Sequence, residues 1–266
     1  MRSALEAYAH ARGGNASWML GNIIIPYTRL EEFRTELQAF SHAEPWNVSL
    51  LWDVAGKTLR ELSTRVSQID EAGFKVACIE TKETSVDDFQ NLQELTQVHV
   101  PIYIESVEPL KLEPFFYQHS NHRFRAKIRT GGVTQDKFPG AEAIIEFIEA
   151  CFSRRIPFKA TAGLHHIVCG VYLLTYEQES AVGKMYGYLN LLLASAAIVH
   201  RRNYSFLHSL LLETDIHSFR FEEGGIRWRD EWFPNDLLKT TRSEVLLSFG
   251  SCSIIEPIAE AILSIQ

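Results

Sequence analysis

The sequence has few cysteines, and they are not spaced as metal ligands. The four cysteines are separated by long stretches and form no C-x-x-C pair: Cys78, Cys151, Cys169 and Cys252. A structural zinc site usually contains closely spaced cysteine pairs, and a small disulfide scaffold needs a denser set. We therefore expect reduced thiols in a cytoplasmic protein.

The sequence also lacks a basic excess and a long apolar run. Its net charge is -7 and its isoelectric point is about 5.8, which argues against a nucleic-acid partner. The longest apolar stretch, YGYLNLLLASAAIV at 186–199, is too short to cross a membrane and predicts a buried helix. The first residues, MRSALEAYAHARGG, contain no apolar run typical of a signal peptide. These features again favour a cytoplasmic protein without a membrane partner.

Segments with the apolar periodicity of strands alternate along the chain with segments that have the periodicity of helices, and no low-complexity linker separates them. The predicted strands are 22–27, 47–54, 75–82, 100–107, 123–129, 157–164, 217–225 and 245–253. The predicted helices are 30–40, 58–74, 85–97, a short one at 110–118, 141–155, 179–200 and 256–265. This order predicts an α/β protein with a single (β/α)8 barrel over residues 1–266. A doubly wound sheet is disfavoured, because its glycine-rich turn is missing after the first strand, in NIIIPYTRLEEF.

The fifth predicted strand, RFRAKIR at 123–129, alternates cations with apolar residues. In a barrel the outward face of a strand packs under helices and must be apolar, so the cations are expected to face inward. Lys127 and Arg129 then approach the C-terminal mouth. The alternative is a surface strand with one face in water, which would alternate in the same way.

The same alternation on the other strands predicts a set of inward polar residues near the C-terminal mouth. The set is Asp53, Glu80, Lys82, Glu105, Lys127, Arg129 and Lys159. An unpartnered buried charge costs several kcal/mol, so these groups must pair with one another or bind a ligand. Because the active sites of barrel enzymes lie at the C-terminal ends of the strands, the set favours a catalytic or binding site.

Two inward lysines suggest carbonyl chemistry. A lysine held near another cation and away from water deprotonates more readily, and its amine can then form a Schiff base with a carbonyl compound. We therefore predict Lys159 or Lys127 as nucleophile and Glu105 or Glu80 as proton donor or acceptor. The alternative is that both lysines are ion-pair partners of these carboxylates. Of the adjacent His165 and His166, only one is expected to reach the site, and we assign His165 as acid, base or metal ligand. The alternative is a structural histidine.

Small residues after the strands suggest an anion site. Barrels often bind phosphate beyond the last two strands, where Ser248, Gly250 and Ser251 of SFGSCS lie. We add Arg129, Thr161, and the glycines Gly131 and Gly132 of TGG to this predicted phosphate site. The alternative is that the glycines only make turns.

No cofactor is required by this chemistry, but one alternative uses a metal ion. Asp53, Glu80 and Glu105 end three successive predicted strands and offer oxygen ligands suited to Mg²⁺. A lysine would then abstract a proton from a metal-bound substrate.

The segments AKIRTGG, KATAGLHH and SFGSCS, together with YGYLNLLLASAA, resemble a group of bacterial proteins without an established activity. The resemblance spans roughly residues 120–256 and departs at Ile167, where that group has proline after the paired histidines. KATAG is also similar to the Lys-Thr-Ser-Thr-Gly run of deoxyribose-phosphate aldolases, which implies a Schiff-base role for Lys159. That family has an acidic residue where Glu105 stands, but its second lysine on strand seven has no counterpart here.

Together these features predict a lyase of aldolase type that acts on a small anionic or phosphorylated carbonyl compound. The alternatives are Mg²⁺-assisted enolisation and a barrel that binds an anionic metabolite without turnover. The apolar helix at 186–199 is compatible with a homo-oligomer interface and equally with packing inside a barrel.

Overall fold

The computed structural model describes residues 1–15, 17–40, 44–52, 73–81, 99–105, 124–175, 177, 179–200, 202–253 and 256–260. The chain divides into two compact units. The first comprises Met1–Glu105 and Lys111–Arg125, and the second comprises Ser106–Leu110 and Ala126–Gln266. The boundary therefore falls inside a strand, and each unit is described by itself.

The first unit is a parallel sheet with two described helices. Its elements are α1 (Arg2–Gly13), β1 (Ile23–Pro26), α2 (Leu30–Leu37), β2 (Trp46–Trp52), β3 (Phe74–Thr81) and β4 (Ile102–Glu105). Strand β2 pairs in parallel with β1 and β3, and β3 pairs in parallel with β4. Most residues of β2, β3 and β4 are buried, as expected for parallel strands covered on both faces. Phe33 of α2 is fully buried and packs edge-on against Phe74.

The second unit contains parallel strands and two small antiparallel sheets. Its strands are β5 (Phe124–Arg129, whose first two residues belong to the first unit), β6 (Phe158–Thr161), β7 (Gly170–Leu173), β8 (Val182–Met185), β9 (Phe219–Glu222), β10 (Gly225–Trp228), β11 (Glu231–Pro234) and β12 (Leu246–Gly250). Its helices are α3 (Ala141–Ser153), α4 (Tyr188–Val199), α5 (Tyr204–Leu211) and α6 (Asn235–Thr240), and α6 leads through a π-helical turn at Thr241–Val245 into β12. Strand β6 is flanked in parallel by β5 and β12.

The α/β class predicted from the sequence is confirmed, and the eight-stranded barrel is not. The parallel sheet of the described residues has seven strands in the order β1-β2-β3-β4-β5-β6-β12. The predicted seventh strand, 217–225, contains β9 (Phe219–Glu222), but its predicted place in the barrel is wrong, because β9 forms the edge of an antiparallel sheet with β10 and β11. The predicted eighth strand contains β12, which lies directly beside β6.

Several predicted helices are confirmed with shorter bounds. The apolar stretch 186–199 contains α4, whose residues are nearly all buried, and 141–155 contains α3. The helix predicted from residue 179 begins only at Tyr188, because Val182–Met185 pairs with β7 as a hairpin. No described helix is long and apolar enough to cross a membrane. The predicted helices at 58–74, 85–97 and 110–118 lie almost entirely outside the described residues.

Candidate functional site

Two predicted lysines lie side by side on one face of the sheet in the second unit. Lys127 of β5 is opposite Lys159 of β6, and Lys159 is opposite Ser248 of β12. Opposed residues of parallel strands point to the same side, and neighbouring strands lie about 4.8 Å apart. The three residues therefore form a row, which we call the lysine row. Lys127 is 3% exposed and Lys159 is 5% exposed.

The opposite face of these strands is apolar, which explains the direction of the lysines. Phe158 precedes Lys159 and packs edge-on against Phe147 of α3, with ring centroids 5.3 Å apart. Because successive side chains of a strand alternate between faces, Lys159 lies on the face away from α3. Ala126 and Ile128 of β5 are buried on the side of Phe158. The alternation of charged and apolar residues in these strands therefore arises because their apolar side packs against α3.

A second row lies one step nearer the C-terminal ends of the strands. Arg129 is opposite Thr161, and Thr161 is opposite Gly250, so the three residues share the face of the lysine row. We call them the arginine row. Arg129 is half-buried and Thr161 is buried. A side chain at Gly250 would stand 3.1 Å from the methyl carbon of Thr161, so glycine keeps this end of the row open.

The chain turns sharply after β6, directly beyond the arginine row. Ala162 and Gly163 both adopt left-handed backbone conformations, with φ of 62° and 70°. The turn is held by Thr130, whose hydroxyl donates to the Ala162 carbonyl at 2.6 Å. Such a conformation is strained for alanine and is often found at functional sites.

The predicted phosphate-binding glycines Gly131 and Gly132 have packing roles in the structure. A Cβ atom on Gly131 would lie 2.7 Å from the Cα of Gly163 and 2.5 Å from the ring of Phe138. A Cβ atom on Gly132 would lie 2.7 Å from the Cβ of Lys137. These close approaches account for both glycines through packing alone. Their role in binding an anion stays a prediction.

His165 follows the turn and meets a cysteine that follows β12. The Sγ atom of Cys252 lies 3.3 Å from Nδ1 and 3.8 Å from Nε2 of His165. The hydrogen bond to Cys252 raises the pKa of His165, partial burial opposes this, and the charges of Cys252 and Glu256 add to the rise. The adjacent Ser251 is exposed, and its hydroxyl donates to the Ser253 carbonyl at 2.8 Å, within the turn.

His166 has different neighbours. Its ring stacks on Tyr172 with centroids 3.4 Å apart, and its Nδ1 atom lies 2.5 Å from a carboxylate oxygen of Glu260. The other oxygen of Glu260 accepts the backbone N–H of Ile167 at 2.9 Å. Proline at position 167 could not donate this hydrogen bond.

The predicted carboxylates lie in the first unit. Glu80 is 1% exposed and accepts a hydrogen bond from the Ser49 hydroxyl at 2.5 Å, and the Cys78 thiol donates to Ser49 at 3.0 Å. Glu105, at the end of β4, is 6% exposed. Their roles as proton donors or acceptors stay predictions.

The alternative metal site also stays a prediction. Asp53 and Lys82 lie outside the described residues. Within the part of the chain that the structure describes, no group of three or more His, Cys, Asp or Glu side chains is arranged to hold a metal ion.

A neighbouring cation in the first unit has a partner. Arg125 shares the cationic side of β5 and donates to the Tyr103 hydroxyl at 2.9 Å. Burial raises the pKa of Tyr103, and Arg125 opposes this rise.

The structure thus brings six predicted residues together: Lys127, Arg129, Lys159, Thr161, Ser248 and Gly250.

Cys252 was missed as a functional candidate. The sequence interpretation placed a strand at 217–225 between the strands that carry His165 and Cys252, so the two residues seemed distant. Recognising the Glu223-Gly224 hairpin turn would have removed that strand and brought the two residues to adjacent strand ends.

Comparisons of the chain with known protein families, with curated proteins and with solved structures find no match. Function must therefore be argued from the site itself.

Proposed function

We propose that the second unit carries an enzyme site for a small anionic carbonyl compound, with Lys159 as nucleophile and Lys127 as its neighbouring cation. The observation that carries the proposal is the lysine row, in which two buried lysines lie in register on adjacent strands. Lysine side chains are among those least often fully buried, so two buried lysines in register on adjacent strands mark this face as a candidate site for amine chemistry.

Lys159 is the better nucleophile candidate because it lies at the centre of the row. Lys127 flanks it on one side and Ser248 on the other. A neighbouring cation favours the neutral, nucleophilic form of an amine, and a hydroxyl can pass a proton to and from the reacting atoms.

The arginine row supports an anionic substrate. A guanidinium group binds carboxylate or phosphate oxygens through two parallel hydrogen bonds, and Arg129 presents one a step beyond the lysines. Thr161 adds a hydroxyl, and Gly250 leaves space beside it. The substrate would place its anionic group on the arginine row and its carbonyl carbon at Lys159.

The proposed step is formation of a Schiff base. The neutral amine of Lys159 attacks the carbonyl carbon, the nitrogen passes one proton to the carbonyl oxygen, a second proton comes from a neighbouring acid or from solvent, and the oxygen leaves as water. The resulting iminium draws electrons from the neighbouring carbon atoms. A carbon–carbon bond or a carbon–hydrogen bond next to the iminium carbon can then break, as in the class I aldolases.

Trapping with borohydride tests the proposal. The protein is reduced in the presence of aldehydes, ketones and sugar phosphates, and the intact mass is then measured. A Schiff base gives a stable adduct whose added mass is that of the carbonyl compound less one oxygen atom. Peptide mapping is expected to place the adduct on Lys159.

Three lysine variants provide the controls. Lys159→Met is expected to abolish trapping, and Lys127→Met to slow it. Lys184→Met changes an exposed lysine of β8 and should trap like the wild type. Equal trapping by all three variants would refute the role of Lys159, and no adduct with any compound would remove the support for amine chemistry and favour an anion-binding protein. Thermal unfolding of each variant shows that the fold is retained.

A further inference from the structure

Cys252 differs from the other three cysteines in its surroundings. Cys78, Cys151 and Cys169 are buried, whereas Cys252 is exposed on the turn after β12. Burial raises the pKa of Cys151 and of Cys169, which keeps both thiols protonated. Cys252 instead lies within hydrogen-bond distance of the His165 ring.

The pairing of a thiol with an imidazole has a defined chemical consequence. The thiolate is the reactive form of cysteine, and a protonated histidine beside it stabilises that form near neutral pH. The rise in the pKa of His165, caused first by Cys252 and also by the Glu256 carboxylate, fits an imidazolium beside a thiolate. His165 is only half-buried, so a small reagent can reach the sulfur.

We propose that Cys252 and His165 form a nucleophilic pair that accepts acyl groups from activated esters or thioesters. The thiolate attacks the carbonyl carbon and forms a carbon–sulfur bond. The bond to the leaving alcohol or thiol breaks, and the leaving group takes the proton of His165. Water then hydrolyses the thioester, with His165 as the base, and restores the thiolate.

This assignment does not depend on the lysine chemistry. Schiff-base formation uses the lysine row on the strands, whereas acyl transfer uses residues in the two turns beyond them. An acid beside the nucleophile is needed to release the leaving group, and His165 supplies it at 3.3 Å from the sulfur. Thiol oxidation alone would not need this acid.

Alkylation kinetics test the activated thiol. The wild-type protein is treated with iodoacetamide at pH 6 and pH 9, and each cysteine peptide is quantified by mass spectrometry. At pH 6 Cys252 is expected to react about tenfold faster in the wild type than in His165→Gln, because the gain in thiolate outweighs the loss of nucleophilicity. At pH 9 the difference should disappear, since an unpaired thiol is then largely ionised.

Acylation tests the substrate class. Treatment with p-nitrophenyl acetate is expected to release one p-nitrophenolate per chain in a burst and to leave an acetyl group on Cys252. Cys252→Ser should lose the burst, and His165→Gln should slow it at pH 6. His217→Gln, which changes an exposed histidine of the same unit, is the matched control.

Two outcomes would overturn the proposal. If Cys252 alkylates at the same rate in His165→Gln and in the wild type at pH 6, the histidine does not activate the thiol. If Cys252 alkylates rapidly but takes no acetyl group, the acyl assignment is wrong. The three buried cysteines serve as internal controls, because their alkylation reports unfolding.

Discussion

Replacing Gly163 by alanine tests how tightly the turn beyond β6 is built. Gly163 has φ of 70°, a region that L-amino acids avoid. A Cβ atom at this position would lie 2.8 Å from the Cα of Gly131 and 2.9 Å from a ring carbon of Phe138. The first of these atoms belongs to the backbone and cannot rotate away, so the added methyl group must displace one segment from the other.

The expected cost combines conformation and overpacking. A left-handed conformation costs an alanine about 1 kcal/mol, and an added methyl in a tight site costs about 1–3 kcal/mol. The lower entropy of the unfolded alanine chain offsets about 0.5 kcal/mol of this. We therefore expect Gly163→Ala to lower the free energy of unfolding by about 1.5–3.5 kcal/mol, or the Tm by roughly 3–14 °C.

Thermal and urea unfolding followed by circular dichroism measure this change. The matched control is Ala162→Gly, which makes the reverse substitution at the adjacent left-handed residue. It relieves the backbone strain of Ala162 but raises the conformational entropy of the unfolded chain. The net change in the free energy of unfolding should therefore stay within about 0.5 kcal/mol. A Gly163→Ala protein whose free energy of unfolding lies within about 0.5 kcal/mol of the wild type would refute the packing argument.

Further predictions concern buried polar groups of the second unit. Burial would raise the pKa of Glu213, but the Asp215 backbone N–H, Arg229 and Trp228 outweigh it and lower this pKa. The stability it contributes is present above its unfolded pKa and is lost as the pH falls through the lower folded value. Glu213→Gln should therefore cost about 1–3 kcal/mol in urea unfolding at pH 7 and progressively less below about pH 4; a constant difference would contradict this. Asn190 bonds the Cys169 N–H and two backbone carbonyls, so Asn190→Leu should cost about 2–5 kcal/mol in the same assay. Ser195→Ala, in the same helix, removes only one local bond to Leu191 and should cost under about 1 kcal/mol, and equal losses would contradict the role of Asn190.

The lysine row could be predicted from the sequence because two local patterns agreed. The alternation around Lys127 and Lys159 showed which side chains share a face, and consecutive parallel strands of an α/β chain are usually neighbours. The register of β5 on β6 follows, because a slip by one residue would bury the lysines under α3.

The neighbour of β6 on its other side could not be predicted by the same reasoning. Alternation in HSFRFEE marks a strand but does not distinguish a parallel sheet from a hairpin. The hairpin is specified by Gly224, with φ of 93°, and by Gly225, where a Cβ atom would lie 2.3 Å from the Phe233 carbonyl oxygen. Strand β12 therefore takes the position that the sequence interpretation gave to residues 217–225.

The left-handed Ala162 and the contact of His165 with Cys252 were also beyond the sequence. Alanine carries no preference for a left-handed turn, so only Gly163 could have indicated one. The contact of His165 with Cys252 depends on the pairing of β6 with β12 and on the loop path after each strand. Neither is encoded in a short local pattern.

The position of β12 beside β6 has a consequence for synthesis of the chain. Residues 162–245 separate the two strands, so β6 leaves the ribosome well before β12 is made. During that interval one edge of β6 has open backbone hydrogen-bonding groups, and an open strand edge can pair with other chains. The buried Lys159 in the middle of this short strand disfavours such pairing, because a second strand would have to cover its charge. The residue proposed for catalysis would then also protect the newly made chain from aggregation until β12 is made.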